Sequence, residues 1–437
     1  MSWDVIRVVA VLAIVIQHIT HQAPINHPEL GPYPFENPLQ FGASTLLVVS
    51  AYFVCVTVRR GDTLSWLFKR LARLLPAYLV AVVVVYTITR QVTPLFGWYV
   101  PTPVDLAANL LMVQAWSPEF HWIDGSYWTL PMQVMAFTAA AVLWPRGWGR
   151  GVRLPVMLWG LVLLPAVIRV LWRGDDAQQW VVSAFDGLAL HRVALFGVGV
   201  AIWLWTRDRL STGHLSAYLL TALVAQDAHS QFADTPSTIA FGVVLVGVVA
   251  AAGGPDWDIP VLRALARPIR WLGGISFGVY LAHQELGYVL ARLLVDAGVG
   301  PWGRLLACVA LAVVLGWAMT RLVEQPAHTW LTTRGPERWQ RLKQTAAAVG
   351  RAVRDLPTVP AQAPERPSSH TEPGVAAIPV RLPVHIRSDQ PQAGSRGGSP
   401  AKPEVSPRES QASTRAADPR TSPDLPVSLT MVNSQPR

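Results

Sequence analysis

The feature that most constrains this chain is a succession of apolar runs, each close to the length of a membrane span. About 20 mostly apolar helical residues cross the hydrocarbon core of a bilayer. Such runs fall at 4–22, 41–58, 72–89, 127–145, 154–172, 187–205, 214–231, 236–253, 271–295 and 302–323. Charge is nearly excluded from them: Val8 to Val15 and Leu79 to Tyr86 hold none. A chain that is 51 % hydrophobic and only 14 % charged has lipid, rather than water, as its expected solvent. Lipid leaves no partner for an open backbone, so the spans should be helices. The expectation is an all-α, polytopic membrane protein of about ten transmembrane helices. The run Asp105 to Trp116 is too short to cross and reads as an interfacial or re-entrant helix.

Arginine and lysine set the expected orientation, because positively charged short loops stay in the cytoplasm. The basic segments Arg59 to Arg73, Arg146 to Arg153, Arg207 to Arg209 and Arg263 to Arg270 fall on one side if the N-terminus is inside. The opposite loops agree: residues 23–40 hold Glu29 and Glu36 without Lys or Arg, and Asp175 with Asp176 follow Trp172. Both termini are therefore expected in the cytoplasm, with the chain multi-pass in the cell membrane. The net charge of +9 is accordingly a topology signal, and nucleic acid is not an expected partner. Asp4 and Arg7 interrupt the first apolar run and no small-residue cleavage site follows, so this segment reads as helix one. Beyond residue 334 the composition turns to Pro, Ser, Arg, Gln and Glu, which divides the chain into a membrane domain at 1–334 and a disordered C-terminal tail at 335–437. Cys55 and Cys308 sit in apolar runs and read as small core residues.

Ionisable residues inside spans are functional candidates by default. Arg7 and His18 are eleven positions apart, about three helical turns, which places them on one face roughly 16 Å apart along the helix axis. One reading has Arg7 pairing with Asp4 at the membrane edge and His18 capping the outer interface; the other has them marking the two ends of a polar passage. Lys69, Arg70 and Arg73 open the third span, and the spacing of three puts the two arginines on one face, where planar guanidinium groups suit phosphate oxygens. A plain cytoplasmic anchor explains them as well. Ser126 to Gln133, with Tyr127 and Trp128, stands at the outer entrance of the fourth span and by itself reads as an interfacial aromatic belt. His283 closes the small-residue run from Gly273, inside the ninth apolar run, where a lone histidine more often satisfies packing. Asp186, His191 and Arg192 read as a structural ion-pair cluster. His18 and His21 lack an acidic or thiol companion at ligand spacing, so no metal is expected.

Taken in order, these segments resemble the acyltransferase 3 family of membrane enzymes that move acyl groups onto sugars and other hydroxyl acceptors. The resemblance spans residues 1–330. It rests on Asp4-x-x-Arg7 followed by His18, the second helix from Phe41 to Phe53, Arg70-Leu-Ala-Arg73 with Pro76, Tyr127-Trp128-Thr129-Leu130, Gly273 to His283, and Glu324-Gln325-Pro326. It implies His18 as the catalytic residue, Arg7 near the acyl donor, and Arg70 with Arg73, beside Lys69, engaging coenzyme A. Tyr127, Trp128, Gln133 and His283 fall to substrate-binding or supporting places. Two positions depart from the family pattern: Gln133 stands where a glutamate is usual and cannot titrate, and Ala51 stands where glycine is frequent.

The function this implies is transfer of an acetyl or other short acyl group from acyl-CoA, a donor substrate rather than a resident cofactor, to a hydroxyl of an extracytoplasmic glycan or glycosylated small molecule. His18, with an ordinary pKa near 6.5, suits removal of the hydroxyl proton. Direct transfer needs fewer assumptions than an acyl-histidine intermediate. Two other readings stay open: a transporter or flippase using the same Arg/His passage, and a catalytically silent relative, for which Gln133 is the hint.

Overall fold

The structure is a computed structural model that describes residues 1–58, 62–144, 151, 153–172, 177–229 and 234–333. The tail expected over 335–437 lies outside the described residues, as do Arg59, Arg146, Asp175 and Asp176.

Every regular element among the described residues is helical. The main helices are α1 (Ser2–Gln17), α2 (Gly42–Val58), α3 (Thr63–Phe96), α4 (Pro103–Leu110), α5 (Thr129–Leu143), α6 (Arg153–Trp172), α7 (Gln179–Gly187), α8 (Val193–Trp205), α9 (Thr212–His229), α10 (Thr235–Gly253), α11 (Ala266–Ala282), α12 (Glu285–Asp296) and α13 (Pro301–Ala318). Five stretches are long and apolar enough to cross a membrane: Ser2–Asn26, Thr63–Phe96, Arg153–Trp172, Thr235–Gly253 and Pro301–Thr333. The pair Gln179–Gly187 and Leu190–Trp205, bent by 40°, makes a sixth if taken as one span. Outward side chains such as Val170, 81 % exposed, and Val246, 70 % exposed, give this bundle a surface suited to acyl chains rather than water. The chain is thus a multi-pass helical membrane protein.

The other expected spans are helical but shorter or interrupted. Gly42–Val58 is an apolar helix of 17 residues, and α5 has 15, preceded by a tight 3-10 turn at Gly125–Trp128. The expected span 72–89 belongs to a single helix of 34 residues. It starts early because the Asp62 carboxylate caps the Leu64 and Ser65 amides, and it stops at Gly97, whose φ of 71° ends the helix in the left-handed region. The short run after Thr102 is the eight-residue α4, opened by a reciprocal capping box between Thr102 and Asp105.

The largest departure is the ninth expected span. Residues 271–295 are not one helix: α11 ends at Ala282, α12 begins at Glu285, and His283 stands in the break. The cause is a carboxylate far away in sequence. Asp124 is fully buried; its Oδ1 accepts from the Ser126 amide (2.8 Å) and hydroxyl (2.5 Å), while its Oδ2 accepts from the Glu285 amide at 3.1 Å. One side chain therefore caps two helix N-termini, that of the 3-10 turn and that of α12.

Helix α1 is central, packed against α2, α10, α11 and α13. Its approach to α2 is backbone to backbone: a Cβ on Gly42 would overlap the Ala10 carbonyl. The α2–α8 contact is the most extensive in the bundle. There Gly199 faces Ala51, whose Cβ would lie 2.6 Å from a Cβ on residue 199. The glycine missing at position 51 is thus offset by one on the opposing helix.

Candidate active site

At His18 the α-helical hydrogen-bond pattern of helix one widens into a π-turn, His18–Gln22. Such turns rotate side chains out of α-helical register. His18 Nδ1 lies 2.8 Å from His283 Nε2, with the two rings within 9° of parallel. His283 Nδ1 lies 2.9 Å from the Tyr280 carbonyl oxygen. A carbonyl only accepts, so His283 Nδ1 carries the hydrogen and, in the neutral ring, its Nε2 is the lone-pair nitrogen. His18 Nδ1–H then donates to it, and His18 Nε2 is left with a lone pair. The hydrogen-bond chain from Tyr280 through His283 sets the tautomer of His18.

His283 is held from several sides. The Tyr127 hydroxyl donates to the Leu281 carbonyl at 3.0 Å, Thr129 Oγ1 donates to the Tyr280 hydroxyl at 2.8 Å, and that hydroxyl donates to the Ser126 carbonyl. The turn Gly125–Trp128 is stitched to the helix break by these bonds and by Asp124. Burial pushes the Asp124 carboxyl up to about 6, against the bonds from Ser126 and the Glu285 amide that favour its charged form. Tyr127 is fully buried and serves here as a brace. An interfacial aromatic at this position leaves its hydroxyl among headgroups; this one is spent inside the protein.

At the other end of α1, Arg7 lies 3.6 Å from Asp4 and 5.3 Å over the Phe53 ring. Arg70 Nη2 donates to Thr57 Oγ1 at 2.7 Å and to the Phe53 carbonyl at 3.2 Å. Arg73 Nε donates to Glu324 Oε1 at 3.0 Å. Arg7 and Arg70 meet at Phe53, and Arg73 follows Arg70 by three positions on α3, so the three guanidinium groups gather near two carboxylates, Asp4 and Glu324. Lys69 is exposed, and among the described residues no hydrogen bond or ion pair ties it to this cluster. Residues separated along the sequence as Arg7 and His18 are thus drawn to different partners, the arginine to Asp4 and to Phe53 of α2, the histidine to the α11–α12 break.

Gln133 sits on α5 with Oε1 3.5 Å from Ser50 Oγ on α2. Trp128 underlies Arg192, whose guanidinium carbon is 4.3 Å from the indole centroid. The expected ion pair of Arg192 with Asp186 is not formed; the tight turn Leu190–Arg192 sends the arginine toward α5 instead. Sequence reasoning treated His283 as solitary and passed over Asp124 and the link between Glu324 and Arg73. Tyr280 and Glu324 carried a signal, as parts of the Gly273 to His283 run and of Glu324-Gln325-Pro326.

A histidine pair, with His283 buried and His18 partly so, thus lies in a helical membrane bundle with an arginine cluster near the other end of helix one. The profile of the acyltransferase domain family matches residues 2–321, and the chain belongs to this acyltransferase 3 family. It is a membrane acyltransferase. No curated protein and no solved structure matches the chain.

Proposed function

We propose that the chain is an O-acyltransferase of the cell membrane, with both termini cytoplasmic, that moves an acetyl or other short acyl group from acyl-CoA to a hydroxyl of an extracytoplasmic glycan or glycosylated small molecule. The observation that carries this reading is the His18–His283 bond, because it leaves His18 Nε2 as a free base within the bundle.

His18 Nε2 takes the acceptor hydroxyl proton as that oxygen attacks the thioester carbonyl carbon. The carbon–sulfur bond breaks, the CoA thiolate leaves, and it takes the proton back from the His18 imidazolium. Ester and free thiol are the products, and His18 ends neutral. His283 is the positioning partner, accepting from His18 Nδ1–H throughout. Tyr127 supports His283 through the Leu281 carbonyl.

Donor binding falls to the other end of α1. Three cations, Arg7, Arg70 and Arg73, stand against two carboxylates, a surplus that suits the phosphates of coenzyme A. Arg73 is anchored through Nε, its side chain 61 % exposed, so its two terminal amines stay available to phosphate oxygens. Lys69 adds long-range attraction rather than a fixed contact. Gln133, bonded toward Ser50, serves as a neutral hydrogen-bonding wall and carries no proton.

The test is acyl transfer from labelled acyl-CoA in membranes carrying the wild type or His18→Ala. Transfer by the wild type and its loss in the variant are expected. Unchanged turnover in the variant sinks the assignment of His18, and acceptor uptake without thioester cleavage would place the chain among transporters.

A further inference from the structure

Near the outer end of the bundle stands one cation that none of these roles employs. Arg192 closes the turn Leu190–Arg192 before α8, and its guanidinium lies over the Trp128 ring. Its Nε is buried with no acceptor, and among the described residues none of its N–H groups finds one, nor does a carboxylate reach ion-pair distance. Arg304 and Arg292 also have a buried Nε without an acceptor, but these and Arg90 are answered by the protein through their terminal amines. Arg304 donates to the Leu30 and Pro32 carbonyls at 2.9 and 2.7 Å, Arg90 to the Pro101 carbonyl at 2.6 Å, and Arg292 lies 3.0 Å from Asp296. A guanidinium with a buried, unmet Nε beside an aromatic wall is a costly arrangement for folding alone.

Its position gives that cost a use. Trp128 belongs to the turn that braces the helix break, and the residue after it, Thr129, donates to the Tyr280 hydroxyl at 2.8 Å. Tyr280 in turn supplies the carbonyl that holds His283. The guanidinium therefore stands over the turn that is bonded to Tyr280, and through it to the histidine pair, and planar, two-pronged donors match carboxylate and phosphate oxygens.

We propose that Arg192, floored by Trp128, binds an oxyanion, a carboxylate or a phosphate, on the hydroxyl acceptor, so that the site selects acidic glycosides over neutral ones. This rests on reading the chain as an enzyme that acylates an acceptor hydroxyl. Residues of the acceptor other than the reacting hydroxyl then contribute orientation, the fork fixing where the sugar lies relative to His18 Nε2.

The experiment uses the full chain in lipid nanodiscs. Equilibrium binding of methyl β-D-glucuronide, glucose 6-phosphate and methyl β-D-glucoside is measured with the wild type, Arg192→Gln and Arg192→Lys, alongside binding of CoA. At least one of the two acids should bind the wild type more tightly than the glucoside, and which one identifies the oxyanion. Arg192→Gln should weaken that acid by about tenfold or more, Arg192→Lys by less, with glucoside and CoA unchanged. Equal binding of acids and glucoside to the wild type, an unaltered acid affinity in both variants, or a matching loss of CoA binding each overturns the proposal. Should Arg192→Gln fail to yield a monodisperse protein, Arg192→Lys and the salt dependence of acid binding carry the comparison. Acid selectivity without transfer of labelled acyl groups would remove the enzymatic reading and leave the site; transfer without selectivity does the reverse.

Discussion

Arg73 and Glu324, 251 positions apart, are joined by a 3.0 Å hydrogen bond between Nε and Oε1, with the carboxylate 5 % and the guanidinium 61 % exposed. The bond ties the start of α3 to the π-turn Met319–Glu324 after α13. It also turns one arginine of the proposed donor site into a strut.

Arg73→Ala leaves the Glu324 carboxylate buried with only Thr320 beside it, at 3.3 Å. Solvent screening around the exposed partner moderates the loss, so a destabilisation of about 1–2 kcal/mol is expected. Thermal unfolding in detergent of Arg73→Ala, Glu324→Gln and the double variant checks it. The double variant should be more stable than the sum of the single effects implies.

Arg70→Ala combined with Arg73→Ala should weaken acyl-CoA binding at least tenfold while acceptor binding holds. Titration with CoA and with a neutral glycoside separates the two. Equal losses would reduce the arginines to a cytoplasmic anchor.

His283→Ala should lower turnover by about 10- to 100-fold with little change in the KM for acyl-CoA, since it frees the tautomer of His18 without removing the base. His283→Gln, whose amide oxygen accepts from His18 Nδ1–H, should recover part of that rate. A merely structural His283 would show no such rescue.

Asp124 makes stability depend on pH in a definite direction. Its folded pKa, about 6, is above its ordinary 3.8, so the folded chain holds this proton more tightly than the unfolded one. The stabilising contribution is complete below about pH 3.8 and is lost as pH rises toward 6. Relative to Asp124→Asn, the wild type should therefore lose thermal stability across that window and run parallel to it above. Unfolding temperatures from pH 4 to 8 for both proteins measure the difference.

Gly42→Ala places a methyl group against the Ala10 carbonyl of α1. The two helices have to part, at a cost of about 1–3 kcal/mol, and both unfolding temperature and turnover should drop together because His18 rides on α1.

Much of the architecture was legible because lipid imposes a single rule on every span: apolar side chains and a closed backbone. That rule exposes Ser2–Asn26 or Arg153–Trp172 at sight, and the brevity of Pro103–Leu110 as well. It says nothing about helix breaks. The sequence from Gly273 to Asp296 reads as one continuous run, and nothing near Ala282 foretells its end, since the cap on Glu285 comes from a residue 161 positions away. The early start of α3 followed from a local cap at Asp62 that the apolar count ignores. Within the site, residue types drew notice while partnerships stayed hidden: His18 and His283 lie 265 positions apart, and no spacing rule connects them. Arg192 was read as an ion pair because acids and bases near in sequence invite pairing, yet backbone direction at Leu190–Arg192 decides otherwise.

The break at His283 has a bearing on biogenesis. A ribosome delivers the first helix to the membrane long before the segment carrying Tyr280 and His283 emerges, and the Asp124 cap waits on the same late arrival. Until then His18 has neither its tautomer fixed nor its histidine partner. On the role proposed for His18, activity begins only when residues 280–285, nearly two thirds of the way along the chain, pack back against the first helix and the Asp124 turn.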